Sequence, residues 1–180
     1  MVFDEIFLFV FLFSLLLSFS GAFGVCWVPT KRKQYRIIAE NAGLKDGMVF
    51  CDLGSGTGNL LFFLCRNYGV KCIGVELSPL LFLYSKTKAL FCKSVSINPH
   101  TKRSCGVGVK FGNLFNFNLA NCDVVYFYLR PSLMPKIKAK LEKELKPGGV
   151  VVSYAFEIPG LIPYQIVKQE KLLPIFFYKL

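Results

Sequence analysis

Two acidic residues, and the glycine-rich stretch that follows the first of them, are the part of the sequence best suited to binding a ligand. Asp52 ends an apolar run and opens the segment Asp-Leu-Gly-Ser-Gly-Thr-Gly, which closes at Gly58. Glycines at alternate positions let the backbone turn sharply and come close to a ligand. Glu76 ends the next apolar run, where a carboxylate can accept hydrogen bonds from the hydroxyls of a ribose. The pattern favours a nucleoside-containing ligand, with two alternatives: an ordinary glycine turn, and a Glu76 that caps the following helix.

The glycine stretch differs from two familiar phosphate-binding loops. A dinucleotide-binding G-x-G-x-x-G loop needs glycine at position 59, where this chain has Asn59. A P-loop needs Gly-Lys-Ser/Thr, which is absent, and the stretch holds no basic residue to balance a pyrophosphate. These differences argue against both loop types.

The cysteines and the histidine form no metal-binding pattern. None of the seven cysteines belongs to a C-x-x-C pair, and the single histidine, His100, has no cysteine at the spacing of a zinc finger. Most of the cysteines stand in apolar runs, where cysteine behaves as a small hydrophobic residue. We therefore expect no metal site and a reducing compartment.

The elements that must position the acidic residues alternate between strand and helix. Apolar runs predict strands over residues 48–52, 70–75, 107–111, 123–129 and 150–156, with two more near 165–168 and 175–178. Helices are predicted over residues 31–42, 59–68, 79–92 and 131–145. This alternation is typical of a three-layer α/β domain, in which helices cover both faces of a mostly parallel sheet. Ligands bind beyond the carboxyl ends of such strands, where Asp52 and Glu76 stand.

These residues, with Asn113 after the third strand and a Lys-Pro-Gly-Gly turn at 146–149, resemble the motifs of class I S-adenosylmethionine-dependent methyltransferases. The resemblance implies a Rossmann-like, seven-stranded sheet and S-adenosylmethionine as cofactor. It implies that the methionine part is held by the first strand end and its loop, namely Asp52, Gly54, Ser55, Gly56, Thr57 and Gly58. The ribose is assigned to Glu76 and Leu77, and the adenine to Asn113 and Leu114. Many members have Asp where Asn113 stands, and an ordinary asparagine turn is the alternative there.

A narrower likeness rests on four short motifs. They are Trp-Val-Pro-Thr at 27–30, Val-Glu-Leu-Ser-Pro at 75–79, Leu-Glu-Lys-Glu-Leu-Lys-Pro-Gly at 141–148 and Ser-Tyr-Ala-Phe-Glu-Ile-Pro-Gly at 153–160. They look like a subgroup that contains archaeal broad-specificity protein-lysine methyltransferases and the membrane-anchored mitochondrial enzyme that methylates a lysine of the ATP synthase rotor ring. This likeness implies a protein substrate with a lysine acceptor. The chain departs from the subgroup in an extra basic loop at 94–104.

The end of the fourth predicted strand offers walls for the acceptor. A lysine must lose its proton before it attacks a methyl group, and an apolar pocket lowers its pKa. Residues 126–129, Tyr-Phe-Tyr-Leu, suit such a pocket, and by resemblance Thr30 and Tyr128 line it. Methylases of DNA bases carry Asn/Asp-Pro-Pro-Tyr/Phe here, whereas this chain reads Tyr-Leu-Arg-Pro at 128–131. Glu157 is predicted either to orient or accept a proton from the incoming amine, or to pair with Arg130 or a backbone amide.

An apolar run at the start of the chain predicts a membrane anchor. Residues 6–25 contain no charged side chain, and twenty residues at about 1.5 Å each span the roughly 30 Å of a bilayer core. Lys31, Arg32, Lys33 and Arg36 follow the run, and basic flanks stay on the cytoplasmic side. We therefore expect an uncleaved single-pass anchor over residues 1–26 and a methyltransferase domain over 27–180 on the cytoplasmic side.

Composition and net charge indicate which other partners the protein could bind. The chain is 53% hydrophobic and 18% charged with a net charge of +11, and the residues after the anchor suffice for one domain. Next to an anchor, excess positive charge favours anionic lipid headgroups over nucleic acid. The sequence leaves two alternatives to a lysine methyltransferase: an enzyme for a membrane-dissolved quinone or lipid, and a scaffold that binds the cofactor without turnover.

Overall fold

The computed structural model describes residues 28–95 and 106–180, and seven strands in this part of the chain form one sheet. The strands are β1 (Val49–Leu53), β2 (Lys71–Glu76), β3 (Val107–Phe111), β4 (Val124–Phe127), β5 (Val150–Tyr154), β6 (Gln165–Val167) and β7 (Ile175–Lys179). Their order across the sheet is β3-β2-β1-β4-β5-β7-β6. The predicted seven-stranded α/β fold is confirmed.

Strand direction places the site at the centre of the sheet. Strands β1 to β5 run parallel, while β7 is antiparallel to both β5 and β6. The chain builds outward from β1 to β2 and β3, then returns to the other side of β1 with β4 and β5. The carboxyl ends of β1 and β4 are therefore the point at which strand order reverses, and open α/β sheets bind their ligands at such a point.

Helices cover both faces of the sheet, which explains why the central strands are buried on both sides. The helices are α1 (Tyr35–Asn41), α2 (Asn59–Tyr68), α3 (Pro79–Val95) and α4 (Met134–Glu144). Phe50 and Tyr126 belong to the core under α1 and α2, whereas Leu53 and Phe127 belong to the core under α4. All four side chains are at most 2% exposed.

The predicted boundaries hold with small shifts. Helix α2 and strand β3 match their predictions, and β4 stops at Phe127, two residues earlier than predicted. The helices predicted from positions 31 and 131 begin as 3-10 turns at Arg32–Gln34 and Pro131–Leu133 before they become α-helical. Such turns are common at helix starts.

The predicted anchor over residues 1–26 lies outside the described residues, as does most of the predicted basic loop at 94–104. Across 28–95 and 106–180, no helix is both long enough and apolar enough to span a membrane.

Candidate active site

The glycine loop after β1 is tied to the end of β2 by backbone hydrogen bonds. The amides of Gly54 and Ser55 both donate to the carbonyl of Val75, at 2.8 and 3.1 Å. Gly54 has φ +92°, a conformation that side chains with a Cβ rarely adopt. Gly58, with φ +68°, turns the chain into α2. The loop thus lies across the carboxyl ends of β1 and β2, as predicted.

Glu76 fastens the same loop through its side chain. One carboxylate oxygen accepts a hydrogen bond from the Gly56 amide at 2.7 Å, and the other accepts from the Ser78 amide at 2.7 Å. Glu76 is only 3% exposed and lines the cleft beside the loop. Each carboxylate oxygen has two lone pairs, so both can still accept from ligand hydroxyls. Helix capping, the alternative for Glu76, accounts for the Ser78 contact but not for the bond to Gly56.

Asp52 is a buried carboxyl at the end of β1. Its side chain is 4% exposed, and its register partners are Gly74 on β2 and Tyr126 on β4. Burial raises the pKa of Asp52 well above its usual range, and the negative charge of Glu76 raises it further. Two carboxyls in one buried region favour a cationic group of a ligand, which would relieve both effects.

Ser55 carries an unsatisfied hydroxyl at the floor of the site. Within the described part of the chain, its Oγ is the one buried side-chain oxygen or nitrogen without a hydrogen-bond partner. Such a group costs stability unless a ligand or water pairs with it. Gly74 lies under it: a Cβ added there would stand 2.5 Å from Ser55 Oγ and 2.7 Å from Leu61 Cδ1. The loop reaches its position because β2 has no side chain at this point.

A cleft of about 630 Å³, which includes space open to solvent, is lined by seven of the predicted site residues. Asp52, Gly54, Ser55, Thr57 and Glu76, which were predicted for the cofactor, line it. Thr30 and Tyr128, predicted for the acceptor, line the same cleft, together with Val28, Pro29, Tyr126 and Leu129. Gly56, Gly58 and Leu77 lie in or beside the same loop and strand end.

The acceptor side of the cleft is held by aromatic residues. Thr30 Oγ1 and the Tyr126 hydroxyl form a hydrogen bond of 2.5 Å, which fixes the segment before α1 over the end of β4. Burial raises the pKa of Tyr126 well above its usual value, with a further contribution from Asp52 and an opposing one from Thr30. The Tyr128 ring packs edge-on against Tyr154, with ring centroids 4.7 Å apart. Tyr126 is therefore an uncharged wall of the cleft near neutral pH, and the Tyr128 ring is a second aromatic wall.

The predicted adenine residues do not line this cleft. Asn113 follows β3, next to the β2 end, but its Oδ1 accepts from the Phe115 amide at 2.9 Å. This is the asparagine turn weighed as the alternative. Leu114 packs against the core under α4. Lys140, 7% exposed, binds the Phe115 carbonyl at 3.1 Å and thereby pins this turn to α4. The adenine assignment stays a prediction.

Glu157 stands apart from the other predicted residues. It lies on the exposed segment after β5 and does not line the cleft that contains Thr30 and Tyr128. Neighbouring residues turn the chain there: Ala155 has φ +77°, and Ser153 Oγ donates to the Phe156 carbonyl at 2.6 Å. The proposed contact of Glu157 with an incoming amine stays a prediction.

Several residues at the site were not predicted from the sequence as site residues. Gly74 makes room for the loop, Tyr35 and Asn59 line the cleft, and Tyr126 was named only as part of a wall. Gly74 had a readable signal, because a glycine inside a strand often marks a close backbone approach. Tyr35 and Asn59 had no such signal, because they belong to helices and come to line the cleft only when those helices pack on the sheet. Among the described residues, no three His, Cys, Asp or Glu side chains could hold a metal ion.

Comparisons with known proteins agree on one kind of domain. The family model described as the ANTKMT methyltransferase domain matches residues 52–165. A protein-lysine N-methyltransferase of Saccharolobus islandicus is 33% identical over 147 residues, which cover 81% of this chain and 86% of that protein. An adenine nucleotide translocase lysine N-methyltransferase of Mus musculus is 30% identical over 118 residues, and the match covers 64% of this chain but 47% of that protein.

A solved structure extends the likeness to three dimensions. The crystal structure of an RNA methyltransferase from Salinibacter ruber, in complex with S-adenosyl-L-homocysteine, superimposes with a TM-score of 0.73 and 26% identity. The match covers 84% of this chain and 93% of that one. A methyltransferase from Thiobacillus denitrificans with the same ligand, at 20% identity and a TM-score of 0.55, shares the fold.

Proposed function

This chain belongs to the ANTKMT methyltransferase family, and we propose that it transfers the methyl group of S-adenosylmethionine to lysine side chains of a protein substrate. The family match spans the glycine loop, both acidic strand ends and β5. The archaeal relative, matched over most of its length, is named for protein-lysine methylation. The single observation that carries the proposal is that Asp52, Glu76, Thr30 and Tyr128 line one cleft.

The residues of the cleft fit the cofactor. The unsatisfied Ser55 hydroxyl and the glycine backbone suit its polar amino-acid end, and the Asp52 carboxylate suits its ammonium group. Glu76 has lone pairs left for the ribose hydroxyls. When bound, S-adenosylmethionine supplies a methyl group on a positively charged sulfur. Asn113 and Leu114 are assigned to the adenine end.

The acceptor side prepares a neutral amine. A free lysine has a pKa near 10.4, so its charged form dominates near neutral pH. The walls formed by Tyr126, Tyr128 and Leu129 exclude water, which disfavours the charged form and lowers the pKa of the amine. Thr30, held by Tyr126, fixes the mouth through which the side chain enters. Alignment of this kind contributes up to roughly 7–11 kcal/mol to lowering a barrier in the best cases.

The sequence supports a membrane location for the enzyme. Residues 1–26 act as a single-pass anchor, and the domain over 27–180 lies on the cytoplasmic side. Of the basic residues after the apolar run, Lys31 and Lys33 contact anionic lipid headgroups, at about 1 kcal/mol for each residue close to the surface. The anchor raises the local concentration of substrates in the same membrane.

Methyl-labelled cofactor tests the proposal. The full chain is incubated with a membrane fraction and labelled S-adenosylmethionine, and the products are separated into protein and organic extract. Label on protein lysines is expected. Label in the organic extract would instead indicate a quinone or lipid acceptor, and cofactor binding without transfer would indicate a scaffold.

A further inference from the structure

A second groove, which we call the basic groove, opens beside the cleft and shares Pro29, Thr30, Tyr35 and Asn59 with it. Its volume is about 1280 Å³ when the space open to solvent is included. Four cations line it: Arg32, Arg36, Arg66 and Lys88. None of the described residues that line it is acidic. The groove is therefore a positively charged extension of the mouth of the site.

The cations come from separate elements that the fold brings together. Arg32 and Arg36 lie around the start of α1, Arg66 on α2 and Lys88 on α3. Lys88 is half-buried: its Nζ donates to Asn59 Oδ1 at 2.5 Å and lies 4.5 Å from the centre of the Phe62 ring. Burial and the nearby charge of Arg66 lower the pKa of Lys88. Like charges held this close repel each other, and an anion in the groove would relieve the repulsion.

We propose that the basic groove binds an acidic segment of the protein substrate, close in sequence to the lysine that enters the cleft. This inference rests on the proposed function. A polypeptide whose lysine passes Thr30 must continue beyond the mouth, and the groove starts at the same residue. Arginine guanidinium groups bind carboxylates through paired hydrogen bonds. Glutamate or aspartate next to the acceptor therefore complements the groove, whereas a run of lysines is repelled.

Fluorescence anisotropy with synthetic peptides tests this directly, in the presence of S-adenosylhomocysteine and without turnover. Each peptide carries one lysine in a neutral background, with a block of Glu, Gln or Arg on either side. A single exposed ion pair contributes little to binding, so several together predict roughly tenfold tighter binding of the Glu peptide than of the Gln peptide. Added salt should reduce this difference.

Variants in the basic groove test whether the preference for the Glu peptide arises there. Arg36→Gln combined with Arg66→Gln should remove most of the preference for Glu, while affinity for S-adenosylhomocysteine in calorimetry stays the same. Lys143→Gln combined with Lys179→Gln changes the net charge equally at exposed positions outside the groove, and should keep the preference. Equal binding of Glu and Gln peptides, or a preference that survives the groove variant, overturns the inference.

Three further outcomes also count against it, the last two from a methyl-transfer assay on the same peptides with S-adenosylmethionine. An RNA oligonucleotide or an anionic phosphatidylglycerol vesicle whose binding depends on Arg36 and Arg66, while peptide binding does not, assigns the groove to another ligand. Methyl transfer to all peptides alike overturns the groove assignment alone. An absence of transfer to every peptide, with cofactor binding intact, overturns the proposed function as well.

Discussion

The carboxylate of Glu76 accepts a hydrogen bond from the backbone amide of Gly56 at 2.7 Å, so a side chain at the end of β2 holds the loop that follows β1. Twenty residues separate the two in sequence. Because the second oxygen of Glu76 accepts from Ser78, one buried carboxylate organises both strand ends that border the cleft. Loop shape and cofactor affinity therefore depend on the same group.

Glu76→Ala is expected to weaken cofactor binding by about 100-fold, since hydrogen bonds to a charged group contribute about 1.5–3 kcal/mol each. It should also lower the free energy of unfolding by about 2 kcal/mol, because two buried amides lose their acceptor. Calorimetry with S-adenosylhomocysteine measures the first effect and chemical denaturation the second. Unchanged affinity would contradict the ribose assignment.

Asp52→Asn should raise stability while lowering cofactor affinity about tenfold or more, because it removes a buried charge that the cofactor's cation pairs with. The folded pKa of Asp52 is raised by burial and by Glu76. The wild-type protein is therefore most stable at pH values below the pKa that Asp52 has in the unfolded state. It loses stability as the pH rises through the pKa that Asp52 has in the folded state.

Cofactor affinity of the wild type should rise over the same pH window, since the ionised carboxylate is the form that pairs with a cation. In the Asp52→Asn variant, neither the stability nor the cofactor affinity should change over this pH window. Denaturation and calorimetry at a series of pH values test both. Parallel pH profiles for the two proteins would show that Asp52 does not ionise in this range.

Gly74→Ala should distort the glycine loop, because the new Cβ would stand 2.5 Å from Ser55 Oγ. We expect a loss of about 1–3 kcal/mol in stability, as for other overpacked sites, and weaker cofactor binding. Gly108→Ala on β3 is the matched control, since its nearest neighbour would be the Cys72 carbonyl at 4.0 Å. Similar effects of the two substitutions would rule out the close approach.

Thr30→Val and Tyr126→Phe form a double-mutant cycle for the bond at the cleft mouth. We expect a coupling of about 1 kcal/mol in unfolding free energy, and a fall in kcat/KM for lysine peptides in each single variant. Cofactor affinity should change little if the Thr30–Tyr126 hydrogen bond positions the lysine acceptor and not the cofactor. Additive effects in the cycle would mean that the two hydroxyls act independently.

The sequence predicted most of the fold because its local signals agree with one another. The run from Val49 to Leu53 is mostly apolar, Gly58 and Gly69 flank α2, and Pro79 opens α3. Where boundaries moved, tertiary packing decided: β4 stops at Phe127, the last residue with a partner on both β1 and β5.

The sequence predicted some site residues better than others, because only some of them are positioned by strand direction alone. Asp52 and Glu76 lie at the ends of parallel strands, so their approach follows from strand direction alone. The exposed position of Glu157 depends on how the chain turns after β5, with φ +77° at Ala155, and no local pattern specifies that turn. The Oδ1 of Asn113 accepts a hydrogen bond from a backbone amide. An asparagine can either form such a turn or bind an adenine, and the residue type alone does not say which.

The sequence by itself determined the sheet, the glycine loop and the two acidic strand ends, because each is encoded within a few consecutive residues. Only the tertiary structure decided that Gly74 lies beneath Ser55, that Tyr126 holds Thr30, and that Arg36, Arg66 and Lys88 line one groove. Those contacts join residues from different elements. Their distances follow from the packing of helices on the sheet, which no short stretch of sequence specifies.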